Sequence, residues 1–378
     1  MSNLILQGNT SGQVTIAAPD VGNNNTLTLP STSSTLATQN SLGVRNLIIN
    51  GDMRIAQRGT SVSGITGSGY YTCDRWGSSI GACGTWTQSQ DTDVPSGQGF
   101  SNSYKYDCTT ANASLSANSS AVIVQQIEAQ NLQHLKYGTS SAESVTLSFW
   151  VKSNKTGTYI FELYQWDSGR VISKSYTIDT ADTWEKKTIT IDGDTSGVID
   201  NNNGAGFQCA WWLAAGSDSS SGTLQTSWGT IVSANRAVGQ VNLADSTSNY
   251  INITGVQLEV GTATPFEHRP YDMELQRCMR YFQRDFQGSL GQAYSSSDGI
   301  FTLHCAVPMR ASPTLSQATG VSLATDIIGG GQTATSQGIS GAGQSATKTT
   351  ITYSGLSGRT TWQALAISNT GTQLSAEL

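Results

Sequence analysis

The chain has 378 residues and a mass of 39.9 kDa, with 12% of residues charged and 37% hydrophobic, against roughly 25% charged in ordinary soluble domains. Its formal net charge of -6 and pI near 5.0, with no run of Lys and Arg, argue against a nucleic-acid partner, because phosphate binding needs clustered cations. Nine Trp and thirteen Tyr exclude an intrinsically disordered chain, and the apolar stretches, such as Ala210–Ala215, are too short for membrane insertion.

The start, Met1–Gly8, lacks the cationic head and apolar core of a signal peptide, which predicts synthesis in the cytoplasm without the usual secretion route. Residues 1–43 read as an N-terminal β arm. Gln13–Ala18 alternates apolar and polar residues, Asn23–Asn25 reads as a turn, and Thr26–Pro30 alternates again; together they predict a hairpin. One hairpin cannot bury a core alone, so it asks for partners, and identical copies from neighbouring chains are the simplest source.

Residues 44–270 read as one β-rich domain. Short alternating strands recur between Gly, Ser, Asn and Asp clusters, which predicts a jelly-roll β-sandwich. Thr146–Lys152 sets Leu147, Phe149 and Val151 on one face, and Thr158–Trp166 separates Tyr159, Phe161 and Leu163 from Ile160, Glu162, Tyr164 and Trp166. Along Tyr250–Val260 the apolar parity changes, as a bulge near Gly255 would produce. Gln126–Lys136 reads as a short helix, and Val122–Glu128 equally as a strand.

One connecting helix is predicted over 271–285. Asp272 reads as its cap, Glu274 sits in its first turn, and Leu275, Met279 and Phe282 form its apolar stripe. A C-terminal β region follows over 286–378, with strands at Gly299–Val307, Thr349–Tyr353 and Trp362–Ile367, and a Gly/Ser/Thr-rich loop or ribbon at Gly329–Lys348. The fold class is therefore all-β with one short helix.

Several segments together resemble a family of bacteriophage tail fibre proteins that carry a carbohydrate-binding-module-like jelly roll. The N-terminal strands resemble the β repeats of fibre arms. Arg45–Met53, Asp74–Trp76 and Ser148–Lys152 are similar to successive jelly-roll strands, and Thr254–Pro270 followed by Glu274–Phe282 is the most specific match. The resemblance covers roughly residues 10–310. It implies a structural protein of the virion tail, a homotrimer joined to tail or baseplate proteins by its N-terminal arm, which adsorbs to host cell-surface polysaccharide or protein. Release by lysis would reconcile cytoplasmic synthesis with a surface of extracellular texture.

For glycan binding, exposed aromatic faces and amide or carboxylate side chains are required. The candidates are Trp86, Trp166, Trp212 and Trp228, with Tyr164 and Glu162 beside Trp166. Trp211 and Trp212 must point to opposite faces of one strand. Trp76 and Trp150 read as structural, Asp74 and Arg75 as paired within the fold, and His268 as ordering its corner through hydrogen bonds.

An enzyme is the rival reading, because Glu162 and Asp167 flank two aromatics as a glycosidase carboxylate pair would. The favoured reading gives Glu162 a local ion pair and Asp167 a place in the turn to Gly169. Three His and no Gly-x-Ser-x-Gly or His-Glu-x-x-His motif leave no catalytic constellation. The remaining alternative is a purely structural tail component without receptor contact. No cofactor is expected. Asp192, Asp194, Asp200 and Asn201–Asn203 supply oxygen ligands suited to calcium, but not at EF-hand spacing, and no metal is assigned. Cys73, Cys83, Cys108, Cys209, Cys278 and Cys305 lack zinc spacing and read as buried thiols, with a Cys73–Cys83 bridge as the alternative.

Overall fold

A computed structural model describes residues 4–7, 13–16, 45–286, 289–317, 336–339, 345–356, 364–367 and 372–378. It divides into two units, Met1–Gly43 and Val44–Leu378.

In the first unit, β1 (Leu4–Gln7) pairs antiparallel with β2 (Gln13–Ile16), Leu4 opposite Ile16. The alternating segment at 13–16 thus finds its described partner upstream, whereas the expected partner Thr26–Pro30 lies outside the described residues.

The second unit opens with β3 (Ser61–Ile65), β4 (Gly69–Tyr70), β5 (Gly77–Gly81), β6 (Thr85–Asp91), β7 (Ser103–Thr110) and β8 (Ser120–Glu128). After a 3-10 turn at Ala129–Leu135 come β9 (Val145–Ser153), β10 (Gly157–Gln165), β11 (Arg170–Ile178), β12 (Glu185–Ile191) and β13 (Ala205–Ala215). The short helix α1 (Ser217–Ser220), β14 (Gly229–Thr230) and β15 (Tyr250–Val260) complete the sandwich. Gln126 and its neighbours therefore belong to a strand, and the helical turn begins only at Ala129.

The strands form a seven-stranded sheet, β14-β11-β10-β13-β8-β5-β4, and a six-stranded sheet, β12-β9-β15-β7-β6-β3. Period-two alternation sends one side-chain set of each strand inward. Leu147, Phe149 and Val151 of β9 meet Phe161, Leu163 and Trp211 of the facing sheet in one continuous core. Trp211 sits near its centre, with ring centroids 5.4 Å from Trp76, 6.0 Å from Phe149 and 5.0 Å from Phe161.

The register of β15 against β9 shifts between Thr254 and Gln257, the bulge expected near Gly255. Gly255 has φ +60°, and a Cβ there would lie 2.5 Å from the Phe100 ring. Both the backbone conformation and the ring overhead call for glycine.

Four of the segments that carry the resemblance, Arg45–Met53, Asp74–Trp76, Thr254–Pro270 and Glu274–Phe282, meet in one corner. The Glu267 carboxylate accepts from the backbone N–H of Arg45 at 3.0 Å and of Asn46 at 2.8 Å. Arg269 reaches the Ile48 carbonyl and pairs with Glu274 at 3.1 Å. Asn50 Nδ2 donates to the carbonyls of Ile55 and Asp74, while the Trp76 indole N–H donates to the Asn50 carbonyl at 2.9 Å. These residues tie the first segment of the domain to its last strand and helix.

That helix, α2, runs Tyr271–Met279 with Pro270 as its N-cap residue, so Asp272 lies inside the first turn and is not the cap. It buries Glu274 and Cys278, while Leu275 and Met279 are only half-buried. Phe282 lies past its end, in β16 (Phe282–Arg284). Beyond it run β17 (Leu290–Ala293), β18 (Asp298–His304), β19 (Thr314–Gln317), β20 (Ser336–Ile339), β21 (Lys348–Ser354), β22 (Ala364–Ala366) and β23 (Thr372–Ser375). They form the sheets β16-β23-β19 and β20-β21-β18-β17-β22 around a core that includes Phe301, Ile351, Tyr353 and Leu374. Within the expected loop or ribbon at Gly329–Lys348, β20 is a paired strand, and most of the remainder lies outside the described residues, as does Trp362.

All six cysteines are free thiols, five of them buried and Cys305 half-buried, so no Cys73–Cys83 bridge forms. The chain end is also anchored. Glu377 pairs with Arg58 at 3.0 Å and with the fully buried Arg75, whose guanidinium lies 3.5 Å from the Tyr281 ring centroid.

Candidate functional site

Alternation along β10 and β13 decides which side chains can face outward. Ile160, Glu162 and Tyr164 share one parity on β10, and Trp166 continues it into the following turn; Gln208, Ala210 and Trp212 share the outward parity on β13. Register sets Tyr164 opposite Gln208 and Glu162 opposite Ala210, with Gln126 of β8 opposite Gln208 on the other side. Four of the six expected residues, Glu162, Tyr164, Trp166 and Trp212, therefore lie on the outer face of the seven-stranded sheet.

They are not equally open. Trp166 is 45% exposed, and its ring meets Tyr164 edge-on at 5.0 Å. Trp212 is only 2% exposed: Val122, Val124, Ile160 and Ala237 pack around it, and the Arg236 guanidinium sits 5.2 Å from its ring centroid. Its indole Nε1 has no hydrogen-bond partner among the described residues. Trp212 is thus not the open platform expected; it is a buried wall that lines a pocket.

That pocket, of ≈ 240 Å³, is bounded by Val124, Gln208, Trp212, Asp218, Arg236 and hydroxyls that include Ser79. Gln126 Nε2 donates to Gln208 Oε1 at 3.1 Å, so the Gln208 amide is oriented where the aromatic pair and the pocket meet. From the Trp212 row to Trp166 the strand advances six residues, about 20 Å. The strip is long enough for an extended chain of several sugar rings.

Glu162 is fully buried, and Arg236 grips it through two hydrogen bonds of 2.7 and 2.8 Å. Burial alone would lower the Arg236 pKa, but the carboxylate outweighs it and the value is raised. Glu162 is thereby fixed as an ion-pair partner, as expected, although the partner is not local but 74 positions away in the chain. Asp167 accepts the Asp200 backbone N–H at 3.0 Å, and burial pushes its carboxyl above the ordinary value.

Two expected residues do not join the site. Trp86 is 0% exposed, packs edge-on to Tyr106 and donates its indole N–H to the Cys83 carbonyl at 2.7 Å. It points inward from β6 and is a core residue, not a ligand contact. Trp228 is half-buried against Tyr137 and Phe207, with its indole N–H held by the Asp192 carbonyl at 2.7 Å. It braces the edge of the sandwich away from the strip.

Asp194 is taken by Arg170 at 2.6 Å, and no cluster of three His, Cys, Asp or Glu able to hold a metal occurs among the described residues. Gln208 follows from the same parity as Trp212 and was readable from β13. Arg236 and Asp218 come from the connection between β13 and β15, which has no periodicity to betray its facing.

No protein-family model and no curated protein matches this chain. Among solved structures it is similar to the enzymatically active domain of tailspike protein 4 of bacteriophage CBA120, at 14% identity and TM-score 0.31 over 57% of this chain. The match spans only 21% of that tailspike chain. A putative sugar binding protein from Bacteroides thetaiotaomicron matches at 14% identity and TM-score 0.32, over 57% of this chain and all of its own. The module TmCBM61, solved with β-1,4-galactotriose, matches at 11% identity and TM-score 0.29, over 57% of this chain and 99% of its own.

Proposed function

We propose that this chain is a tail fibre or fibre-like protein of a bacteriophage that adsorbs to a host-surface glycan without cleaving it. The observation that carries the reading is the outer strip of the seven-stranded sheet. There the exposed Trp166 and the half-buried Tyr164 run past the oriented Gln208 amide to a polar pocket walled by Trp212. An aromatic face takes the apolar side of a sugar ring, and amides and hydroxyls take its hydroxyl groups. The non-catalytic part rests on Glu162, which is fully buried with both carboxylate oxygens engaged by Arg236 and so does not face a sugar lying on the strip. The virion setting rests on the sequence resemblance of Thr254–Pro270 and the helix after it. Trimerisation and attachment through residues 1–43 rest on an arm hairpin too small to bury a core alone.

The test is binding of the intact protein to purified host-surface polysaccharide by calorimetry, with reducing ends assayed in parallel. Trp166→Ala is expected to lower affinity at least tenfold while leaving stability within about 0.5 kcal/mol. Absence of binding by the wild type would overturn the glycan reading and leave a host protein receptor or the purely structural tail role. Release of reducing ends would make the chain a depolymerase. Light scattering on the full chain that gives a monomer mass overturns the trimer.

A further inference from the structure

The opposite, six-stranded sheet carries a second concavity, of ≈ 440 Å³, that the strip does not use. Its floor is the outer face of β9, where Ser148 and Trp150 share the parity that points away from the core. Trp150, expected to be structural, is half-exposed and lines this pocket. One wall is an aromatic trio: Phe100 and Phe266 meet at 5.1 Å, Phe266 and His268 at 4.9 Å, and Phe100 and His268 at 5.4 Å. His268 therefore holds its corner by ring packing, and among the described residues it makes none of the hydrogen bonds expected of it. Gly255 is what lets the Phe100 ring lie against the strand bulge.

Lys186 stands directly across from Trp150 in the β12–β9 register and also lines the pocket. Lys105, Lys136, Lys152, Lys155 and Lys187 are all in ion pairs, and Lys174 donates to the Thr226 carbonyl. Lys186 has no partner among the described residues, and no carboxylate lines its pocket, although the chain carries 26 acidic against 20 basic residues. An unneutralised cation beside a tryptophan and three further rings is suited to a ligand with an apolar ring face and one negative charge.

We propose that this pocket is a second glycan site, selective for a pyranose that carries a carboxylate, such as a uronic or sialic acid unit. The sugar's apolar face lies on Trp150 and the aromatic trio, and its carboxylate meets Lys186. The proposal shares the glycan class of the function proposed above but uses none of that site's residues, so the two stand or fall separately.

The test is saturation-transfer NMR and calorimetry on the full chain with D-glucuronate, D-galacturonate and N-acetylneuraminate, each paired with its uncharged methyl ester. At least one acid is expected to bind, about fivefold more tightly than its ester. Lys186→Gln should bring that acid to the level of the ester, and Trp150→Ala should abolish both. Lys186 is exposed and unpartnered, so its variant retains the fold, which thermal melting checks. Failure of every acid to bind overturns the proposal, as does an acid whose binding neither variant changes. Loss of acid binding in Trp166→Ala would place the acid on the other sheet, which overturns this site and keeps the strip.

Discussion

Asp74 shows how one residue of a recognisable motif answers to the fold before any ligand. Burial raises its carboxyl pKa to about 6, against the pull of Arg58 and the hydrogen bonds of Gln57. A carboxyl whose folded value lies above its unfolded value of about 4 favours the folded state while protonated. Its contribution is complete below about pH 4 and is lost as pH rises through about 6. Wild-type stability relative to Asp74→Asn should therefore fall by about 2 kcal/mol between pH 4 and 7. Urea unfolding at several pH values reads this directly, and a pH-independent difference between the two proteins would contradict it. At this scale the sequence was an uneven guide. Period two grouped Glu162, Tyr164 and Trp166 and set Trp212 opposite Trp211, but the register between strands brings Trp212 to the same face, and its burial depends on Arg236, 24 positions downstream and in a segment without periodicity. Trp86 was misjudged because alternation separates two faces without saying which one is the interior.

Among the elements, the β15 bulge has consequences on both sides of its strand. Its parity change was legible in Ile251, Ile253, Val256 and Leu258, because an extra residue must shift every later side chain across the sheet. What was not legible is that the bulge residue supports the Phe100 ring from below. Gly255→Ala is expected to cost about 1–2 kcal/mol from the left-handed backbone alone, with a further loss from displacing Phe100. Adding Phe100→Ala should recover the second part and not the first, as paired urea titrations would show. Full recovery in the double variant would refute the backbone account. The helix α2 shows the opposite failure. Its existence was legible from the acidic residues of its first turn, although Asp272 is not its cap, and its buried face carries Glu274 and Cys278, because Arg269 and the Asn50 backbone await a carboxylate there.

Across the whole molecule, residues far apart in sequence are held by charges that the core cannot leave unpaired. Glu377 serves Arg58 and Arg75, and Arg310 caps the carbonyls of Ala376 and Glu377 at 2.8 and 3.0 Å. The all-β class and the sandwich were readable because strands repeat locally; this closure was not, since nothing near Arg75 in sequence announces a partner 302 positions away. Glu377→Ala strands a buried guanidinium and should cost roughly 3–5 kcal/mol, seen as a lower melting temperature. A change below about 0.5 kcal/mol would mean that solvent reaches Arg75 when its partner is gone.

The six free thiols give the molecule a set of built-in reporters. Burial pushes the Cys209 thiol far up, and that of Cys83 to about 11, so neither reacts as a thiolate while its surroundings stay closed. Cys73 and Cys209 lie in the sandwich core, Cys278 in the helix corner and Cys305 against the C-terminal core. The order in which a thiol reagent modifies them therefore maps which region opens first and at what free-energy cost, with no label introduced.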